Sequence, residues 1–280
     1  MRILVTGSKG MIGRHLVNAL IDAGNDVVGL DRINDSSYVE HYFYNMVDLG
    51  DKETLRIIKE KYSVDRIIHL AGLAHTQNEE DLSWERYKYV NVECAKNVFD
   101  IAGDIPVLFI STVDVFGFSS GGYVTAETEL HPVTFYGKSK AMAEEECKKL
   151  KHYDIFRFSP VYTDEIKRDI QKRYYLKYPN VAYRIGKGTE YEILNVKRAI
   201  AKMVDWCYQE PQNTIRIVKD PNNMNTVEYI KAEKSEGRAR VVLHFPTWMV
   251  NVGYAVLKGI TGENKYTYLL NKAVHPLRSK

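Results

Sequence analysis

The sequence predicts an α/β fold built on a doubly wound parallel sheet. Three observations carry that expectation. Short β-branched runs alternate with amphipathic helical segments over roughly the first 160 residues. The first run ends in a glycine-rich turn that opens a helix. An aspartate, Asp31, closes the second run.

The elements follow in order. Arg2–Thr6 (RILVT) has the unbroken apolar character of a buried strand. Residues 11–23 have helical spacing, with Ile12, Leu16, Leu20 and Ile21 on one side, and Gly24-Asn25 stops them. Asp26–Asp31 (DVVGLD) is a second strand, Lys52–Tyr62 a helix and residues 65–71 (DRIIHLA) a third strand. A long helix is expected over 84–101, a strand over 106–112, a helix over 136–150 and a strand over Tyr153–Phe158. Beyond residue 160 the alternation loosens. Residues 165–177, 197–208 and 246–259 read as helices, and 181–185 and 214–218 as short strands.

Composition narrows the class. With 45% hydrophobic residues and 27% charged ones, the 280-residue chain can build a real core. A net charge of +3 without a Lys/Arg block argues against nucleic acid. The densest basic stretch, Lys167-Arg168 with Lys172-Arg173, reads as a solvated helix face or as a contact for an anionic substrate group. Cys94, Cys147 and Cys207 are scattered, with no zinc spacing, so no metal site is expected and a reducing, cytoplasmic setting is. No leader pattern precedes Arg2, and no segment reaches the ~20 apolar residues of a membrane span. The nearest, 245–257, is interrupted by Pro246, Asn251 and Gly253 and reads as a packed helix.

Thr6-Gly7-Ser8-Lys9-Gly10-Met11-Ile12-Gly13 is a phosphate cradle by its position between strand and helix. Gly7 permits the tight turn, Gly10 lets backbone approach a pyrophosphate, and Gly13 lets helix pack on strand. The helix N-terminus then offers free N–H groups to the anion. Asp31, eighteen residues after Gly13, can accept the two hydroxyls of an adenosine ribose and repels a 2′-phosphate. This favours NAD. Arg32 beside it can hold that phosphate, so NADP stays open.

Tyr136 and Lys140 stand four residues apart at the start of a helical segment, on one face. An ordinary tyrosine titrates near ~10. A neighbouring ammonium favours phenolate, and a phenol so tuned can exchange a proton with a sugar or alcohol oxygen.

The ordered set of the TGxxGxxG turn, Asp31, Asp48-Leu49, His69-Leu70-Ala71-Gly72, Asn91, Ser111-Thr112 and Tyr136…Lys140 resembles the extended short-chain dehydrogenase/reductases. These include the NAD-dependent epimerase/dehydratase enzymes of nucleotide sugars. The resemblance covers about residues 1–162. It implies a Rossmann-type NAD(P)-binding domain over 1–160 and a smaller, interleaved substrate-binding region over 161–280. It implies cofactor contacts from Gly7, Lys9, Gly10, Met11, Ile12, Gly13, Asp31, Arg32, Asp48, Leu49, Leu70, Ala71, Gly72, Asn91, Ser111, Tyr136, Lys140, Ser159 and Pro160. Thr112, Tyr136 and Lys140 are the implied catalytic set: Thr112 and Tyr136 share a substrate oxygen, and Lys140 holds the nicotinamide ribose. A homodimer through the helices near 84–101 and 136–150 is also implied.

The chain departs from the family pattern in places. Phe116 replaces the usual tyrosine, as in the 4-keto-sugar reductases. Pro160 stands where epimerases carry an asparagine, and Glu192 where an arginine usually grips the diphosphate. Arg168, Arg173 and Arg184 are the alternative cations for that contact. Asp114 is at a position where dehydratases carry an acid, but Val113 replaces the aspartate before it. The sequence therefore points first to NAD(P)-dependent reduction of a 4-keto nucleotide sugar. An epimerase or dehydratase with tightly bound NAD is the alternative. A non-catalytic NAD(P) sensor, or a reductase of non-sugar ketones, is a more distant one.

Overall fold

The structure, a computed structural model, describes residues 1–74, 83–118 and 121–280, the side chains of residues 168, 169 and 265 aside. Its first half is β1 (Arg2–Thr6), α1 (Met11–Asp22), β2 (Asp26–Asp31), β3 (Tyr42–Met46), α2 (Lys52–Tyr62), β4 (Arg66–His69), α3 (Trp84–Lys88), a π turn (Tyr89–Glu93), α4 (Cys94–Ala102) and β5 (Val107–Thr112). There follow a 3₁₀ turn (Val113–Phe116), β6 (Tyr123–Val124), α5 (Phe135–Cys147), β7 (Tyr153–Phe158), β8 (Val161–Tyr162), α6 (Arg168–Gln171), β9 (Tyr175–Lys177) and β10 (Val181–Ile185). The rest is β11 (Glu190–Tyr191), β12 (Leu194–Asn195), α7 (Val196–Cys207), β13 (Ile215–Val218), β14 (Met224–Asn225), α8 (Thr226–Ser235), β15 (Val241–Phe245), α9 (Thr247–Thr261), α10 (Lys265–Val274) and β16 (Arg278–Ser279).

Seven strands form the main sheet in the order β13-β7-β5-β4-β1-β2-β3. The five strands β1 to β5 pair in parallel, and Val5 lies between Gly29 and Ile68. The apolar runs are buried because helices cover both faces of such a sheet. Leu4, Val28, Ile67, Val98, Phe99 and Phe109 belong to one core cluster. Chain order reverses at β1, with β2 on one side and β4 on the other. A reversal of that kind opens a crevice at the carboxyl ends of the two strands flanking it. The doubly wound α/β fold expected from the sequence is the fold observed.

Two compact units share the chain. One comprises Met1–Thr112, Phe135–Arg157 and Val196–Arg216; the other comprises Val113–Thr134, Phe158–Asn195 and Ile217–Lys280. In the second unit, Ile170, Tyr174, Tyr175, Ala182, Met224 and Ile230 pack together. The expected helix over 165–177 is reduced to Arg168–Gln171, because Tyr174 and Tyr175 turn into this core and the chain continues as β9. The segment expected to be a packed helix, α9, has no buried residue. Among the described residues no helix is long and apolar enough to cross a membrane.

Candidate active site

In the first unit, β1 ends at Thr6 and the chain turns at Gly7 with φ +69°. The Gly7 N–H donates to the Leu30 carbonyl at 2.8 Å, and the Gly10 N–H to the Gly7 carbonyl at 3.0 Å. A Cβ on Gly7 would come within 2.9 Å of the Ala71 backbone, and one on Gly13 would land on the Gly7 carbonyl. Glycine is what allows the loop after β1 to press against the end of β4. No side chain caps α1 and its first turn holds no acid, which leaves the first-turn amides of Met11, Ile12 and Gly13 available to an anion.

Asp31 closes β2 beside this turn. Its carboxylate accepts the Lys9 N–H at 2.9 Å and the Arg32 N–H at 2.7 Å. The Lys9 ammonium is taken by Asp35 and lies 4.9 and 4.7 Å over the rings of Tyr42 and Tyr44. That hydrogen bond holds the Asp35 carboxyl well below the usual range. Arg32 is exposed. Asp48 is exposed too and accepts the Gly50 N–H at 2.8 Å, while Leu49 is buried in the core.

At the end of β4, the Ala71 N–H donates to Thr6 Oγ1 at 3.1 Å, and Thr6 Oγ1 meets His69 Nδ1 at 2.8 Å. The His69 ring stacks on Phe109 and meets the edge of Phe99. Burial, with Lys140 nearby, pulls His69 down to about 3, so it is neutral. Leu70 and Gly72 complete this strand end. Asn91 sits on the π turn, fully inside the protein. It accepts from the Leu73 N–H at 2.6 Å and donates to the Leu73 carbonyl at 2.9 Å and to Ser139 Oγ at 2.8 Å. One amide thus staples the loop after β4 to Ser139 on α5, between Tyr136 and Lys140. Single π turns inside α-helices are rare and occur frequently at functional sites.

Tyr136 is the second residue of α5 and half-buried; Lys140 lies one turn on and is buried. The Lys140 ammonium is 4.0 Å over the Phe109 ring and would lie 3.8 Å from a Cβ placed on Gly72. Burial pushes it down to about 7, against an opposing pull from Glu144. Glu144 accepts from Ser111 Oγ at 2.5 Å and from Arg157 Nη2 at 2.7 Å. Ser111, expected at the cofactor, therefore has its hydroxyl turned into this inner network. Thr112 is buried at the last position of β5. The structure brings Gly7, Ala71, Gly72, Asn91 and Lys140 to one strand-end crevice, with Tyr136 on the helix that carries Lys140.

In the second unit, Asp114, Ser159, Pro160, Arg173 and Glu192 line a cavity. The Asp114 carboxylate accepts from Lys272 Nζ at 2.6 Å and from the Tyr268 hydroxyl at 3.4 Å. Burial, then Asp114 itself, pushes the Tyr268 phenol up. A reciprocal Asn264–Thr267 cap starts α10, and its spacing places Tyr268, Asn271 and Lys272 on one face. The Pro160 carbonyl accepts the Leu194 N–H at 3.0 Å. Glu192 is buried and accepts from Lys219 at 2.5 Å and from the Ser279 N–H and Oγ, both at 2.7 Å. The Arg173 guanidinium lies 4.4 Å over the Tyr191 ring. Arg184 sits on β10 beside His244, outside the cavity lining, and the Arg168 side chain lies outside the described residues. Sequence reading missed Glu144, Ser139 and Lys272. Glu144 alone left a signal, four residues after Lys140 on the same helix.

A family model described as the NAD dependent epimerase/dehydratase family matches residues 3–211, well over half of the chain. The chain belongs to this family. The family's relatives include UDP-glucose 4-epimerase 2 of Oryza sativa subsp. japonica, 29% identical over 174 residues, which cover 56% of this chain and 41% of that protein. They also include dTDP-D-glucose 4,6-dehydratase of Mus musculus, 27% identical over 179 residues, covering 58% of this chain and 49% of that protein. The chain spans about half the length of the curated relatives it matches. Among solved structures of the same fold, the UDP-glucuronic acid 4-epimerase from Bacillus cereus in complex with NAD superposes with a TM-score of 0.71. It is 20% identical, over 88% of this chain and 87% of that one.

Proposed function

We propose that this epimerase/dehydratase family member uses NAD for reversible oxidation at one carbon of a nucleotide-linked sugar, with epimerisation as the net reaction. The observation that carries the reading is the approach of Lys140 to Gly72, which joins the cradle's strand end to the helix of Tyr136. A cradle that a Cβ would fill, an uncapped helix start and a carboxylate at the end of β2 together suit a dinucleotide. In this reading the amides of Gly10 to Gly13 hold the pyrophosphate, Asp31 the adenosine ribose and Lys140 the nicotinamide ribose. Bound NAD supplies the hydride acceptor. Tyr136 Oη takes the proton of the sugar hydroxyl and returns it, and Thr112 Oγ1 hydrogen-bonds the same oxygen. Asn91 fixes the turn that presents Tyr136 and Lys140. The names of relatives such as UDP-glucose 4-epimerase support a nucleotide-linked sugar as substrate.

Dehydration needs a further acid or base beside the sugar. The one acid at the dehydratase position, Asp114, is held by Lys272, which supports epimerisation over dehydration. Reduction of a 4-keto sugar is the second reading, favoured by Phe116 and Pro160. A homodimer through α3, α4 and α5 and a reducing, cytoplasmic setting, fitted by three buried free thiols, complete the proposal. The test is a panel of UDP-, dTDP-, GDP- and CDP-sugars with NAD and NADH. Epimer formed with no net NADH supports epimerisation. Stoichiometric NADH loss with a keto-sugar selects reduction. No turnover with intact NAD binding sinks both.

A further inference from the structure

We propose that Glu144 is a positioning residue of the first unit's site, one that holds Lys140 and Thr112 in a single alignment and keeps the Lys140 ammonium charged. The inference rests on the nucleotide-sugar reading and names the group, outside the proposed catalytic set, that readies it.

Three elements meet at the Glu144 carboxylate. Glu144 is fully buried on α5, one helical turn after Lys140. Its Oε1 accepts from Ser111 Oγ at 2.5 Å, and Ser111 immediately precedes Thr112 on β5. Arg157, next to last on β7, closes the other side: its Nε lies 3.1 Å from Oε1 and its Nη2 2.7 Å from Oε2. β7 and β5 are neighbours in the sheet. A two-pronged guanidinium bond fixes the plane of a carboxylate. One carboxylate is thus tied to the neighbour of Thr112 and to the helix of Lys140, so the two do not shift independently.

Charge gives the second half. Lys140 is buried, and its ammonium rests 4.0 Å over the Phe109 ring, a contact that favours the cation. The titratable groups around it are Tyr136, Glu144 and Cys147 on α5, His69 on β4 and, through Glu144, Arg157 on β7. Burial pulls His69 down to about 3, so it is neutral, and burial pushes the Cys147 thiol up, so it keeps its proton. Glu144 supplies the negative charge: burial pulls Lys140 down to about 7, and Glu144 opposes that pull. Without it the ammonium would shed its proton at lower pH still.

The experiment follows the Lys140 resonance of the full chain, isotope-labelled at lysine Cε, from pH ~5 to ~10. Its absence from Lys140→Met assigns it. NAD affinity is measured over the same range by calorimetry. Glu144→Gln keeps an acceptor for Ser111 and removes the charge. Its Lys140 should titrate roughly one pH unit lower. NAD should then bind it about tenfold more weakly than wild type near pH ~8, and nearly as tightly near pH ~5, where the lysine is charged in both. A merely structural role would weaken NAD alike at every pH. The double variant Glu144→Gln with Arg157→Gln leaves no stranded charge and answers the same question if the single one does not fold: its Lys140 should still titrate below wild type. Ser111→Ala keeps the charge and cuts the tie to β5. Its Lys140 should titrate as in wild type, while kcat on the sugar nucleotide that is turned over falls about tenfold with KM little changed. Unchanged Lys140 titration in both Gln variants, an NAD loss equal at every pH, or full kcat in Ser111→Ala overturns the proposal, whatever sugar is turned over. The expected Lys140 and NAD shifts with no turnover of any sugar nucleotide uphold the role of Glu144 and overturn the nucleotide-sugar reading instead.

Discussion

Arg157 meets Glu144 at 2.7 Å in a place that solvent does not reach, with side chains 2% and 0% exposed. Ser111 takes a second position on the same carboxylate. Removing one partner of a buried pair strands the other charge, which costs about 3–5 kcal/mol. Glu144→Ala should lose about that much in urea denaturation. The paired change Glu144→Leu with Arg157→Met should lose less than either single change, since no charge is left unmatched. A double variant weaker than both singles would contradict this account.

Lys140 sets a pH dependence whose sign can be worked out. An unfolded lysine titrates near ~10.4, while burial brings the folded one to about 7. Below about 7 both states hold the proton, and the cost of burying the charge is fully present. From about 7 up to ~10.4 the unfolded chain keeps a proton that the folded chain has shed, so this residue's contribution to stability rises with pH. Lys140→Met should therefore be more stable than wild type near pH ~6, and the gap should close toward pH ~10. Denaturation midpoints at several pH values test it; a gap that widens with rising pH would reverse the sign.

Asp31 separates charge from hydrogen bonding. Asp31→Asn keeps an acceptor for the Lys9 N–H but loses the charge that the proposed function assigns to the adenosine ribose. NAD affinity should fall roughly tenfold or more, and NADP affinity should rise relative to it. Fluorescence titration with both cofactors reads the ratio; an unchanged ratio would place the selectivity elsewhere.

Two glycines test the cradle against simple backbone strain. Gly7 and Gly24 have similar left-handed φ values, +69° and +79°. A Cβ on Gly24 meets nothing, whereas one on Gly7 meets the Ala71 backbone at 2.9 Å. Gly24→Ala should lose about 1–2 kcal/mol, the left-handed cost alone. Gly7→Ala should lose more and should also abolish NAD binding in the same titration. Equal losses with NAD binding retained would remove the cradle from the account.

The elements legible in the sequence are those whose signal is local. β1 and β2 are buried on both faces, so their apolar runs are continuous; Gly7 and Asp31 follow at fixed distances. Tyr136 and Lys140 were legible because helical spacing alone puts them together. Edge strand β3 was not, because Tyr42 to Met46 lie half in solvent and show no apolar alternation. Tyr174 and Tyr175 looked helical by spacing, but their rings were claimed by a core assembled from residues as distant as Ile230. The partners of Asp114 and Glu192 were invisible for the same reason, as Lys272 and Ser279 arrive from the last helix and last strand. No spacing rule reaches that far.

The hold of Glu192 on Ser279 makes the chain's final residues part of the electrostatics of the cavity. Eighty-seven positions separate the two, yet the strand tail supplies two of the donors that keep the carboxylate quiet. Without these donors the buried carboxylate would keep Lys219 but lose two of its hydrogen bonds, a desolvation cost that nothing else described there offsets. A change at residue 279 therefore acts on a carboxylate 87 positions away by removing hydrogen bonds and not by altering charge.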